Sequence, residues 1–322
     1  MSFAALGCSR AFATRGARRR AAWSAPRGRL HGATAVSVSR GPAAMAASAG
    51  GRNVAERFFA GGGLSKMVLS DEEQAELVGA VAKHLSVLRQ IPDFLAYLHV
   101  DATCAEVRPS GVCDGRGVFA TRDIKAHELI TLYPASNELS LCANRERGVV
   151  HRWRAETYAS PRPDYAMFNG HPYFGENALR LEADPDAPPQ PGFLGHLVND
   201  AALPPTDAED IEYAQRYLVT TTNETNCHAV PFPSGMVAVA ASKDLAAGEE
   251  LLMSYTFGYD AGFMSEMMAK PELRKKMLTN AFAADMKVAS VKMEQLTAET
   301  LKVHAEAELL SRELLVDAAG DE

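Results

Sequence analysis

The sequence predicts an α+β protein in which short strands fill the middle of the chain and helices flank them. Residues 236–258 and 117–133 each contain an apolar run, a basic residue followed by Asp, a turn, a Glu and a second apolar run. We interpret each stretch as a β-hairpin-like unit. Apolar residues at helical spacing, before residue 106 and beyond residue 270, predict the flanking helices.

A capping box marks the start of the first helix, with Ser70 at the N-cap and Glu73 three residues later. The Ile-Pro pair at 91–92 predicts its end, and a short second helix is expected over 94–98. We assign residues 56–106 to this helical lead-in. The residues that share one apolar face of the first helix are Leu77, Val78, Val81, Leu85 and Leu88.

Two insertions are predicted between the strand units, at about 140–192 and 202–222. In the first, the polar stretch 145–158 is expected to be helical, and the Pro-rich stretch 184–192 is expected to be a loop. In the second, a further capping box is expected at Thr206 and Glu209, followed by a short helix through Tyr213 and Tyr217.

The last part of the chain, 261–322, is predicted to be helical. Pro271 is expected to open a helix. The apolar residues of 286–316 lack a strict heptad, which favours a docked helix or a loosely held partner helix over a long coiled coil.

The first 55 residues differ in composition from the rest, with nine Arg and no Asp, Glu or Lys. Together with abundant Ala, Ser and Gly, this is typical of an organelle transit peptide, and we expect import into a plastid (chloroplast) or a mitochondrion. The alternative is a disordered basic tail in a nuclear or cytoplasmic protein, with Arg18, Arg19 and Arg20 acting as a nuclear address or a nucleic-acid contact.

Without that leader the formal net charge falls from −7 to −16. A surface of this sign repels nucleic-acid phosphate and attracts basic protein segments, so we expect basic protein partners and no direct nucleic-acid binding. No run of apolar residues approaches the length of a membrane helix, and we expect no membrane association. Five scattered cysteines without a C-x-x-C pair indicate reduced thiols and no zinc cluster.

An ordered set of motifs resembles the SET-domain family of protein lysine methyltransferases. The resemblance covers about residues 107–260 and implies a β-rich SET fold of short sheets with a pseudoknot-like C-terminal segment. The motifs are G-R-G-V-F-A-T-R-D-I at 115–124, E-L-I-T-L-Y at 128–133, G-F-L-G-H-L-V-N-D at 192–200, T-N-C at 225–227 and A-x-K-D-L-A-A-G-E-E-L-L-M-S-Y at 241–255.

The resemblance implies S-adenosylmethionine as the cofactor and a protein lysine as the methyl acceptor. It implies that Tyr255 is the catalytic tyrosine, that it lies close to Asn199, and that Tyr165 and Tyr133 lie near the lysine channel. The residues that it assigns to cofactor binding are Gly115, Arg116 and Gly117 in the loop against the methionine part, with Asn199, Asp200 and Phe257.

The chain departs from the family pattern in three places. Asn-Asp-Ala at 199–201 replaces the usual Asn-His-Ser, Met-Ser at 253–254 replaces Tyr-Asp, and Tyr-Pro-Ala at 133–135 replaces Tyr-x-Gly. The alternative function is therefore a non-catalytic SET-like module that binds basic partners. A metal site is a further alternative, and its candidate ligands are His196, Asp200, Cys227 and His228.

Overall fold

A computed structural model represents the whole chain. It describes residues 54, 57–58, 69–90, 93–134, 138–143, 149–154, 165–171, 174, 177–203, 211–255, 270–277, 280–306 and 309. The Arg-rich leader, the capping box expected at Thr206 and Glu209, and Phe257 lie outside the described residues.

The capping box at the first helix is confirmed. Helix α1 (Asp71–Leu88) begins where the Ser70 N–H donates to Glu73 Oε2 at 2.9 Å and the Glu73 N–H donates to Ser70 Oγ at 3.2 Å. These reciprocal bonds satisfy donors that the first helical turn leaves unpaired. A four-residue helix, α2 (Phe94–Tyr97), follows. The predicted apolar face of α1 is buried at Leu77, Val78, Val81, Leu85 and Leu88.

Short strands form the centre of the fold, and in the described part of the chain they make four sheets. Three sheets have the orders β1-β2, β3-β10-β9 and β5-β4-β7-β6, and all their neighbours are antiparallel. The fourth is the parallel pair β8-β11. The strands are β1 (Ala105–Pro109), β2 (Arg116–Ala120), β3 (Leu129–Leu132), β4 (Glu138–Ala143), β5 (Val149–Arg154), β6 (Ala166–Asn169), β7 (Asn177–Glu182), β8 (Asn199–Asp200), β9 (Cys227–Pro231), β10 (Val237–Ala241) and β11 (Leu252–Met253).

The two strand units are not hairpins, so this prediction was wrong. In the first unit, β2 pairs with β1 and β3 pairs with β10. In the second unit, β10 lies between β3 and β9, whereas β11 pairs with β8. The two strands of each unit lie in different sheets. The polar connection between them is too long for a tight hairpin turn, and it pairs with the connection of the other unit.

The connections of the two units pair with each other in a nearly two-fold arrangement. Ile124 and Leu245 exchange both backbone hydrogen bonds at 2.9 Å. Asp123 accepts a backbone N–H of the second unit at 3.0 Å, and Asp244 accepts one of the first unit at 3.0 Å. The similar basic-Asp sequences therefore encode two matching halves of one contact.

The stretch 145–158 was predicted to be helical, and this is wrong where the structure describes it. Residues 149–154 form β5, which pairs antiparallel with β4. The stretch contains Val149, Val150 and Trp153, which favour strands. Antiparallel pairing with the preceding strand β4 outweighs the polar composition on which the prediction relied. The Pro-rich stretch 184–192 is a loop, as expected.

Three more helices follow: α3 (Ile211–Glu224), α4 (Pro271–Met277) and α5 (Asn280–Val303). The docked-helix expectation for α5 is confirmed by its contacts with the strand region. Thr300 Oγ1 lies 2.9 Å from His127 Nδ1 and 3.1 Å from His228 Nε2. None of the described helices is both long enough and apolar enough to span a membrane.

One substitution, Gly to Ala, is expected to have opposite effects at two positions. Gly248 has φ +87°, and no atom lies within 4 Å of a Cβ placed there, so Gly248→Ala should destabilise by about 1–2 kcal/mol through backbone strain alone. Gly79 is inside α1 and also has no atom within 4 Å, so Gly79→Ala should stabilise by about 0.5–1 kcal/mol. Urea unfolding of both variants measures the change in the free energy of unfolding. Destabilisation by Gly79→Ala would contradict this expectation.

Candidate active site

Two short segments that are far apart in sequence meet as parallel strands at the centre of the site. Leu252 pairs with Asn199, and Met253 pairs with Asp200. On the other edge of β11, the Asn226 side chain accepts the Leu252 N–H at 2.8 Å. This pairing places the start of the segment after β11 beside Asn199.

Tyr255 lies two residues beyond β11, and its side chain contacts the segment that contains β8. Its hydroxyl donates to the Val198 carbonyl oxygen at 2.8 Å, and its half-buried ring packs on the apolar core. Since Val198 precedes Asn199, the structure brings Tyr255 and Asn199 to adjoining positions.

The Asn199 amide is held by three acceptors from separate parts of the chain. Its Nδ2 lies 2.9 Å from the Arg116 carbonyl oxygen, 3.1 Å from Ser110 Oγ and 3.1 Å from Glu250 Oε1. A planar amide has donors on nitrogen and acceptors only on oxygen. The nitrogen therefore faces these acceptors, and the oxygen faces elsewhere.

Gly115 immediately precedes β2, and Arg116 and Gly117 are the first two residues of that strand. Gly115 and Arg116 are exposed, and the Arg116 guanidinium donates to the Pro185 carbonyl oxygen. Gly117 is buried, and a Cβ placed there would lie 2.1 Å from Glu250 Oε1. The missing side chain of Gly117 thus leaves room for a carboxylate of the protein itself.

Tyr133 contacts both Tyr165 and His196. The Tyr133 hydroxyl donates to the Tyr165 carbonyl oxygen, and its ring lies edge-on to His196 with centroids 6.3 Å apart. Burial, followed by the positive charges of Arg116 and Arg89, lowers the pKa of His196 to about 4. The ring is therefore neutral at pH 7. Its Nδ1 is buried and has no hydrogen-bond partner.

The Asp200 carboxylate faces helix α3. Its two oxygens accept hydrogen bonds from the Tyr217 and Thr221 hydroxyls, and the backbone N–H groups of Ala202 and Tyr255 also donate to it. Burial raises the pKa of Asp200, although all four hydrogen bonds oppose that change. The cofactor contact predicted for Asp200 thus falls on a residue whose side chain is engaged with protein.

The proposed metal ligands do not converge on one point. Asp200 faces α3, whereas His228 contacts Thr300 of α5. Over the described ranges, no three His, Cys, Asp or Glu side chains are arranged to hold a metal ion. The four cysteines in those ranges are free thiols.

Comparison with known families agrees with this geometry. A family model described as SET domain matches residues 115–256, which run from the glycine loop at β2 to the residue after Tyr255. The chain contains a SET domain. SET domains characterise a family of protein lysine methyltransferases that generally use S-adenosylmethionine.

Two solved structures resemble parts of the chain. One is ATXR5 in complex with histone H3.1 mono-methylated on R26, at 17% identity, with 48% of this chain and 57% of that chain covered and a TM-score of 0.27. This chain thus spans under two thirds of the ATXR5 chain. The other is a Plasmodium falciparum protein, PFL0690c, named as a candidate histone methyltransferase, at 18% identity with 47% and 91% covered and a TM-score of 0.23. No curated protein matches the sequence.

Three residues around the SET-domain site were not predicted to belong to it: Glu250, Tyr217 and Thr221. A comparison of the two strand units would have pointed to Glu250, because it stands where the first unit has the buried apolar Leu129. No local signal marks Tyr217 or Thr221, which contact Asp200 only because α3 folds back onto β8.

The Tyr217 hydroxyl is expected to contribute measurably to stability. Tyr217→Phe removes a donor to a buried carboxylate and should lower the free energy of unfolding by about 1.5–3 kcal/mol. Tyr213→Phe is the matched control on the same helix, since that exposed hydroxyl donates to a carbonyl at 3.3 Å, and it should cost under about 0.5 kcal/mol. Urea denaturation compares the two. Equal effects would show that the Asp200 contact adds nothing.

Proposed function

We propose that this protein is an S-adenosylmethionine-dependent methyltransferase that modifies a lysine side chain of a protein substrate. The observation that carries the proposal is the parallel pairing of β8 with β11. It places the Tyr255 hydroxyl on the carbonyl of Val198, immediately before Asn199. A tyrosine and an amide on adjoining segments can serve the acceptor amine and the cofactor respectively.

The residues around Asn199 fit the methionine end of the cofactor. With its nitrogen held by acceptors of the protein, the Asn199 amide is left with an oxygen to offer to the α-ammonium of a ligand. The exposed Arg116 supplies a positive charge suited to the α-carboxylate. When bound, S-adenosylmethionine supplies an electrophilic methyl group on a sulfonium.

Tyr255 is suited to orienting the lysine amine. A free lysine has a pKa near 10.4, and burial beside a positive charge favours the neutral amine that can attack. Because the Tyr255 hydroxyl donates its proton to the Val198 carbonyl, its oxygen can accept an N–H of the amine. The nitrogen lone pair is then directed away from Tyr255, and this positioning is the main catalytic contribution of the residue.

The charge of the chain supports a basic protein substrate. The chain beyond the leader has a formal net charge of −16, and the field of such a surface draws Lys-rich or Arg-rich segments towards it. The target lysine then lies in a segment whose positive charges are opposite in sign to those of the acidic protein.

A non-catalytic SET-like module is the second candidate, and the orientation of Asp200 favours it. The Asp200 side chain is directed to Tyr217 and Thr221 instead of a ligand. Such a module would retain the fold and the acidic surface for basic partners without binding the cofactor.

Tyr255→Phe tests the enzyme proposal. It should lower the rate of methyl transfer by about 100-fold, because the amine loses its orienting acceptor, and should change cofactor affinity by less than about twofold. Transfer of labelled methyl groups to a pool of lysine-containing peptides, and calorimetric titration with S-adenosylmethionine, measure the two quantities.

Tyr97→Phe is the matched control, since Tyr97 is an exposed tyrosine in α2. It should leave both quantities unchanged. Full activity in Tyr255→Phe would show that another residue orients the amine. No binding of S-adenosylmethionine to the wild-type protein would reject the enzyme and favour the non-catalytic module.

We also propose that residues 1–55 direct import into a plastid or a mitochondrion, on the strength of nine Arg and no acidic residue. A fluorescent reporter fused behind these residues should accumulate in one of these organelles. Replacing the nine Arg by Gln should leave it in the cytoplasm, because import signals of this type depend on positive charge. Nuclear accumulation of the unmodified fusion would support the basic-tail alternative.

A further inference from the structure

The Glu250 carboxylate accepts hydrogen bonds from three donors that belong to two separate segments of the chain. Its Oε1 accepts from Ser110 Oγ at 2.7 Å and from Asn199 Nδ2 at 3.1 Å, and its Oε2 accepts from the Gly111 N–H at 2.8 Å. Ser110 and Gly111 precede β2, whereas Asn199 begins β8. One side chain from the start of the β11 segment thus joins both segments that line the proposed cofactor site.

We propose that Glu250 is a positioning residue that fixes the orientation of the Asn199 amide towards the α-ammonium of the cofactor. This inference rests on the proposed function and adds to it a residue that does not itself touch the cofactor. A carboxylate has acceptors only, so it can pair with the amide nitrogen but never with the amide oxygen. Glu250 therefore sets which end of Asn199 faces the ligand.

The surrounding groups reinforce this choice. Ser110 gives its hydroxyl proton to Glu250 and so offers Asn199 only an acceptor, and the Arg116 carbonyl is an acceptor as well. Rotating the amide by half a turn would bring its oxygen against three acceptors and remove every bond to its nitrogen. Charge-assisted bonds of this kind are stronger than neutral ones.

Gly117 makes room for the contact between Glu250 and Asn199. A Cβ at this position would lie 2.1 Å from Glu250 Oε1 and 3.1 Å from Asn199 Nδ2. Any side chain there would push the carboxylate away from its donors. The glycine requirement at 117 is thus explained by close approach of Glu250 as well as by access for a ligand.

Glu250→Gln tests the proposal while keeping the size of the side chain. The Gln amide has one acceptor end and one donor end, so it cannot accept from Gly111, Ser110 and Asn199 together, and Asn199 is no longer held in one orientation. We expect the full chain with this change to bind S-adenosylhomocysteine at least about tenfold more weakly. Its affinity for the desamino analogue, which lacks the α-ammonium, should change by less than about twofold.

Glu249→Gln is the matched control. Glu249 is the adjacent exposed carboxylate, and it accepts the Ala246 N–H at 2.8 Å within its own turn. It should leave both affinities unchanged. Calorimetry gives the affinities, and thermal melting checks that each variant is folded.

Two results would overturn the inference. An equal loss of affinity for both ligands in Glu250→Gln would show that Glu250 only supports the loop, and no loss for either would show that it does not act on Asn199. Absence of S-adenosylhomocysteine binding in the wild-type protein would instead reject the proposed function, and this inference with it.

Discussion

The parallel pairing of Asn199–Asp200 with Leu252–Met253 is the constraint on which the site depends. A ladder of two residues per strand is too short to be stable by itself. Side chains complete it on both edges: Asn226 bonds to β11 from one side, and the Asp200 carboxylate accepts the Tyr255 N–H from the other. The positions of Asn199 and Tyr255 are therefore set by buried polar contacts as much as by the strands.

The departure at Asp200 and the insertion before β9 form one structural unit. A buried carboxylate is costly unless donors surround it, and α3 supplies two hydroxyl groups for this purpose. The same carboxylate accepts the Tyr255 N–H. The insertion between the 192–200 and 225–227 motifs thus supports the backbone that presents the candidate catalytic tyrosine.

The motifs could be recognised in the sequence because each is formed by residues close together in the chain. The capping box at Ser70 and Glu73 needs only four consecutive residues, and its reciprocal hydrogen bonds form as expected. The two predicted hairpins were wrong because the strands of each unit pair with strands outside that unit. Strand β3 pairs with β10, more than a hundred positions away, and β11 pairs with β8. The strand at 149–154 was missed because its partner β4 lies outside the window that suggested a helix.

The sequence by itself indicated the SET domain and the strand-rich centre, because these follow from short motifs in a fixed order. Only the tertiary structure decided which way the side chains face. Asp200 faces α3 and Glu250 faces Asn199 because segments remote in sequence supply their donors. The direction of a polar side chain follows from the partners around it, and those partners are known only once the chain has folded.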